Sequence, residues 1–348
     1  AEIESRFGLH PGGPSCDAHR TGAADYRRFL DGLVAGVAAR KNLTRWILER
    51  DRWDLVMQVF TESHCAGHQT WHLHDRAHPA HDAAITAELG DPLERVYRSI
   101  DAAIGELIEG APETRVMVLV AHGMAHWYGA HFLLSEILVR LGAAVRAPQA
   151  ANDGWLDRAW LALPEVVRSM LRPIVRRFRR ETASPGPAPG PDADLARSRC
   201  FVVGNGLAVS GIRLNLAGRE PGGIVAPGTD AQRFVDQLTE DLLAIIDLRS
   251  GQPLISRALR TADLYTGPEL AALPDLLVEW NDAIPTGSAS LAGGNGAIVR
   301  ASSPKIGTIE GVNEFARSGE HRPGGLVIVA GPGIGAGRLP EPVRLVDI

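Results

Sequence analysis

At 348 residues, with 45% hydrophobic and 22% charged side chains, the chain has the composition of a soluble globular protein able to bury a large core. A formal net charge of −5 and a pI near 6.2 argue against a nucleic-acid polymer as partner, and no run of about 18 apolar residues offers a membrane-spanning helix. Three widely spaced cysteines, Cys16, Cys65 and Cys200, exclude a disulfide scaffold and point to a reducing, cytoplasmic compartment, with a leader peptide upstream of residue 1 left open.

The first 22 residues, centred on Pro11-Gly12-Gly13-Pro14, read as loop. Tyr26, Leu30, Leu33, Val34 and Val37 recur at helical spacing, and Leu43, Trp46 and Ile47 continue them, so a helix is expected over residues 23–50. The apolar run 54–60 reads as a strand. It leads into Thr61-Glu62-Ser63-His64-Cys65-Ala66-Gly67-His68-Gln69-Thr70-Trp71-His72, a helix-forming stretch interrupted further on by Pro79. Leu93, Val96, Tyr97, Ile100, Ile104 and Leu107 mark an amphipathic helix over 92–109. The continuous apolar run 115–121 is the pattern of a strand buried on both faces, and it runs straight into His122-Gly123-Met124.

Further helices are expected over 132–142, 156–181 and 231–246. The second of these is rich in arginine and reads as a solvated basic face rather than a membrane surface. A Pro-rich stretch at about 183–195 reads as an insertion loop within one domain covering 1–348. Strands are expected over 200–203, 211–216, 275–280 and 325–330, with Asp275 and Trp280-Asn281 shaping the sheet and an adjoining loop. Strands alternating with helices argue for a doubly wound, mostly parallel sheet. The chain opens on Ala1 and stops on an apolar run, so it reads as a piece cut at both ends.

Six of the twelve histidines fall between His64 and His81. His64 and His68 are four residues apart and share one helix face. His122 follows a second strand, and His321, in Ser318-Gly319-Glu320-His321-Arg322, precedes the last. Neutral imidazole is a preferred ligand for zinc-type metals, and a sheet that gathers these strand ends builds a metal site. The competing reading is a set of histidines bonded to backbone carbonyls. It is preferred for His74, His78 and His81, which run away from the sheet around Pro79. His72, one turn beyond His68, is placed behind the ligands.

Taken in order, several motifs resemble the alkaline phosphatase superfamily in its type I phosphodiesterase and nucleotide pyrophosphatase branch. They are Trp53-Asp54-Leu55-Val56, Gly67-His68, His122-Gly123-Met124, Gly211-Ile212-Arg213-Leu214-Asn215-Leu216, Leu264-Tyr265-Thr266-Gly267, Pro274-Asp275-Leu276 and Gly319-Glu320-His321-Arg322-Pro323. The resemblance implies a three-layer α/β/α sandwich and hydrolysis of small phosphate esters with one or two divalent metals, zinc foremost. It puts His64, His68 and His321 at the first metal and His122 at the second. Two departures stand out: His64 and Ala121 occupy positions where the family has Asp. Glu62 or His126 is the candidate substitute at the second site, and Arg322 a candidate phosphate contact. The Ser or Thr nucleophile is expected on a strand upstream of residue 1, leaving this stretch inactive by itself. Alternatives on the same fold are a sulfatase or phosphonate hydrolase, which would take sulfate or phosphonate esters, or a non-catalytic relative that binds metal or ligand.

Overall fold

The computed structural model describes residues 2–8, 18–147, 193–291, 294–339 and 342–344. The basic helix expected over 156–181 and the Pro-rich stretch 183–191 lie outside these residues. In chain order, helices α1 (Glu2–Phe7), α2 (Gly22–Leu48), α3 (Glu62–His74), α4 (Ala83–Leu89) and α5 (Pro92–Glu109) come first. Strands β1 (Val116–Val120) and β2 (Gly123–His126) follow, then α6 (Leu134–Arg140), β3 (Cys200–Val203) and β4 (Val209–Leu214). Helix α7 (Thr229–Leu243) precedes β5 (Ile246–Asp247) and β6 (Ile255–Arg260); α8 (Thr261–Leu264) leads to β7 (Leu276–Trp280). The chain then runs through β8 (Ile298–Ser303), β9 (Gly307–Val312), β10 (Gly319–Arg322) and β11 (Leu326–Ala330). Two compact units result. One comprises Ala1–Tyr128, Pro285–Ile298 and Val312–Ile348, the other Gly129–Ile284 and Val299–Gly311.

In the first unit the helices form where apolar spacing and caps coincide. Asp91 closes the start of α5 by accepting the backbone N–H groups of Leu93 and Glu94, with Pro92 in the first turn. Asp82 does the same for α4. The stripes so aligned pack Leu30 and Leu33 of α2, Ala66 of α3, and Leu93 and Val96 of α5 into one core. Each buried aliphatic side chain there contributes about 1.5–3 kcal/mol. Helix α3 is thereby pinned between α2 and α5, leaving its remaining face to meet β10 and β2.

Several expectations change. The run 115–121, expected as a strand buried on both faces, forms β1, which pairs with β11 and leaves Met117, Leu119 and Val120 exposed. The opening residues include a helix, α1, whose Phe7 ring packs edge-on against Trp46 at 5.5 Å. Residues 54–60 join no ladder: Leu55, Met57 and Val59 are exposed, and Gln58 turns its side chain back to the Thr44 hydroxyl. An apolar run shows that a segment can pair, but not that a partner strand stands beside it. The mostly parallel doubly wound sheet is also corrected. The ladders β1–β11, β2–β10, β3–β4, β4–β7, β6–β7 and β5–β8 all run antiparallel. The described fold is therefore mixed α/β with antiparallel pairing. Short apolar strands joined by turns satisfy their backbone groups equally well in either direction, and composition alone does not set direction.

The second unit is built on the sheet β3-β4-β7-β6. Strand β7 alternates as a half-buried strand should, with Leu276, Val278 and Trp280 inward, and the Trp280 indole N–H donates to the Ser210 hydroxyl at 3.0 Å. A charge network closes one end of this sheet. Arg219 grips the Asp275 carboxylate with two N–H groups at 2.8 and 2.6 Å, and the same carboxylate accepts the backbone N–H of Leu214 at 2.7 Å. Glu220 accepts from Arg213 at 2.6 Å and from Arg219 at 2.8 Å. Asp275 thus joins the loop after β4 to the start of β7. Replacing it by Ala removes two of the Arg219 hydrogen bonds and leaves that guanidinium to Glu220 and the Leu214 carbonyl, so Asp275→Ala is expected to lower stability by about 2–3 kcal/mol, read as a lower urea midpoint with unchanged slope.

Candidate metal centre

The centre lies in the first unit, where α3 meets the hairpin-like pair β2–β10. The approach is unusually close. A Cβ on Gly319 would lie 2.2 Å from the Gly67 carbonyl oxygen, and one on Gly67 would lie 2.7 Å from the Met124 methyl. Hydrogen at Gly319 lets the strand lie directly on the helix backbone, while a side chain at Gly67 would have to displace the Met124 side chain of β2. The contact is then fastened by hydrogen bonds: the Ser318 N–H donates to the His68 carbonyl at 2.7 Å, and Trp127 N–H to the Ser318 carbonyl at 2.7 Å.

That contact brings together imidazoles far apart in sequence. His68 Nε2 lies 3.2 Å from His64 Nε2 and 3.1 Å from His321 Nε2. The other ring nitrogen of His68, Nδ1, faces the Gly319 carbonyl oxygen at 2.7 Å. A carbonyl only accepts, so Nδ1 carries the proton and Nε2 presents a lone pair. His64, His68 and His321 together place one ligand atom each within 4.8 Å of one another. Tetrahedral zinc with Zn–N bonds of about 2.0–2.1 Å sets its nitrogens about 3.3 Å apart. The nitrogen separations and the donor set fit such an ion, which would relieve nitrogens otherwise turned toward one another.

Electrostatics agree. His68 is fully buried, and desolvation lowers its pKa from 6.5 to about 3, against the raising effect of the Gly319 carbonyl. Desolvation, followed by the neighbouring His122 and His64, lowers His321 to about 4. Both imidazoles are neutral at pH 7, the form that ligates metal.

The remaining sequence candidates separate. The His122 ring leans on His321, with centroids 3.8 Å apart, but lies outside the trio, and its Nδ1 sits 3.0 Å from the Gly123 carbonyl. Glu62 is buried and accepts from Arg40 Nε at 2.8 Å, so it turns to α2 rather than to the three imidazoles. His126 lies in β2 opposite Gly319 and is not among the grouped ligands. Arg322 donates to the His126 carbonyl at 2.9 Å and lays its guanidinium 3.9 Å from the Tyr128 ring centre. His72 is buried, with Nδ1 2.9 Å from the Ser318 hydroxyl and Nε2 3.3 Å from the Tyr26 hydroxyl. His78 donates from Nε2 to the Ser318 carbonyl at 3.1 Å, while its Nδ1 accepts the Ala80 N–H. His81 meets the His72 carbonyl, and His74 the Asp91 carboxylate. Sequence reading missed Ser318 and Tyr26. Ser318 sits in the Ser318–Arg322 motif, whereas Tyr26 falls on the apolar stripe of α2 and resembles any other core position there.

A family model described as type I phosphodiesterase / nucleotide pyrophosphatase matches residues 14–169. That family lies within the alkaline phosphatase superfamily, is metal-dependent and acts on small phosphate esters. The matched stretch contains His64, His68 and His122, while His321 lies beyond it. No curated protein and no solved structure matches the chain. Among the described residues no helix is long and apolar enough to cross a membrane.

Two outcomes are expected. Gly319→Ala forces β10 off α3, which should cost about 2 kcal/mol and weaken zinc binding in the same protein, measured by thermal melting and by chelator competition. In metal-free protein, His68, His72 and His78 have folded pKa values of about 3, 3 and 4 against 6.5 unfolded. The unfolded state therefore binds more protons below pH 6.5. Stability is full above that value and is lost as pH falls toward 4, by up to about 1.4 kcal/mol per pH unit for each histidine. A urea midpoint that stays flat between pH 7 and pH 4.5 would contradict this.

Proposed function

We propose that the chain is part of a zinc-dependent hydrolase of phosphate esters, of the phosphodiesterase and nucleotide pyrophosphatase type, with His64, His68 and His321 as its zinc ligands. The observation that carries the reading is the convergence of three Nε2 atoms in which His68 is fixed as an acceptor by the Gly319 carbonyl. His64, His68 and His321 would hold the ion, and a set of three protein ligands is that of catalytic rather than structural zinc. Zinc bound there supplies a Lewis acid and lowers the pKa of an attacking hydroxyl or water.

The protein groups do the rest. Burial keeps His68 and His321 unprotonated, ready to bind. His122 stands against the His321 ring and limits the directions that ring can take. The positive charge that acts on His68 and His321 is that of Arg317, which helps to hold both rings neutral, whereas Arg322 is engaged with the His126 carbonyl and the Tyr128 ring. Ser318 is not the attacking hydroxyl: it is fully buried and points to His72 and the His68 carbonyl. The described ligands support one metal. A second reading, a non-catalytic metal binder, draws on Ala121, whose methyl group replaces a carboxylate at the other metal position.

The expected result is one zinc per chain at micromolar or tighter affinity, lost in His68→Ala, together with cleavage of bis(p-nitrophenyl) phosphate or a nucleotide diester that stops on chelation. Absence of zinc binding in wild-type protein sinks both readings. Zinc binding with no cleavage of phosphate, sulfate or phosphonate esters favours the non-catalytic one.

A further inference from the structure

Behind the three ligands lies a buried polar chain with no part in ligation. The His72 backbone N–H donates to Ser318 Oγ at 3.2 Å, and Ser318 Oγ–H donates to the His68 carbonyl at 3.3 Å. With its only proton so placed, Ser318 Oγ accepts from His72 Nδ1–H at 2.9 Å, which leaves His72 Nε2 to accept from the Tyr26 hydroxyl at 3.3 Å. With these roles the bonds run in one sense, Tyr26 to His72 to Ser318 to the His68 carbonyl. Ser318 and His72 are at most 1% exposed, and Tyr26 is 3% exposed.

The placement of these bonds matters. Ser318 holds the main chain of His68 through both its N–H and its hydroxyl, while Gly319, the next residue, holds the ring of His68. Two residues further along the same strand stands His321. The Ser318–His72 bond ties that strand to α3 one helical turn beyond His68, and Tyr26 ties both to α2. A hydrogen-bond acceptor behind a ligating imidazole typically changes metal affinity by about 10–100-fold. Here the acceptor is a backbone carbonyl, and a side-chain chain sets where that carbonyl sits.

We propose that Ser318, backed by His72 and Tyr26, is a positioning residue that sets the aim of His68 and the spacing of His68 to His321, and so tunes a metal held by the trio. The inference rests on the zinc-site reading above. Cobalt(II) alone is the probe, because its visible absorption reports ligand geometry and its dissociation constant can be read without turnover.

Wild-type protein is expected to bind one cobalt(II). Ser318→Ala should weaken binding about 10–100-fold and shift the visible bands. Tyr26→Phe should weaken it about threefold, by the loss of one neutral hydrogen bond two steps from the ligand. The double variant should be no weaker than Ser318→Ala, since both act through one chain. Wild-type affinity and spectrum in folded Ser318→Ala overturn the positioning role, as does a double variant whose losses simply multiply. Should Ser318→Ala fail to fold, unchanged affinity and spectrum in Tyr26→Phe overturn it instead. Failure of the wild-type protein to bind cobalt(II) or zinc marks the separate failure of the zinc-site reading.

Discussion

Everything at the centre depends on one steric allowance, the contact between Gly67 on α3 and Gly319 on β10. A strand and a helix normally keep their backbones apart by the thickness of a side-chain layer. With no Cβ on Gly319 that layer is missing where it meets the Gly67 carbonyl, and the adjoining main chains bond directly through Ser318 and His68. Only then does His321, projecting from β10, come within about a zinc tetrahedron's edge of His68, which projects from α3. The helix is in turn immobilised by its apolar face against α2 and α5, so the core fixes the site through α3.

The charge network of the second unit and the histidine cluster of the first are held in opposite ways. In the second, guanidinium and carboxylate groups are paired: Arg219 with Asp275 and Glu220, Arg213 with Glu220. In the first, the histidines behind and within the trio are left uncharged, because burial costs the imidazolium its hydration. Behind the trio the neutral rings find partners by tautomer choice, as His78 does by donating from Nε2 to the Ser318 carbonyl and accepting the Ala80 N–H at Nδ1. The difference follows from side-chain chemistry. Arginine cannot give up its proton and must be paired, whereas histidine gives it up at little cost near pH 7.

Much of this arrangement could be read from sequence, and the gaps have physical causes. The helices α2 and α5 follow from apolar spacing, and α5 also from its Asp-Pro start. His64 and His68 were recognisable because four-residue spacing fixes a shared face, and His321 because it sits in a dense motif after a glycine. Strand direction was not readable: the apolar run of β1 resembles a parallel strand, but its partner β11 arrives antiparallel. Nor did the apolar run of 54–60 reveal that it joins no ladder. His72 could be placed behind the ligands, but its link to Tyr26 could not. A tyrosine on an apolar stripe gives no hint of where its hydroxyl points. Glu62 has the chemistry of a spare metal ligand, and only the fold brings its partner Arg40, one helix away, into contact with it.

The separation of the ligands along the chain has its own consequence. His68 and His321 are 253 positions apart, so an ion shared between them closes a ring of the greater part of the chain, with Gly129–Ile284 strung inside it. Such a ring behaves as a reversible cross-link. By the chain-entropy estimate used for covalent bridges, a loop of that size restricts the unfolded ensemble by about 5 kcal/mol. On the zinc-site reading proposed above, the ion would therefore also be a clasp, and withdrawing it would loosen the fold.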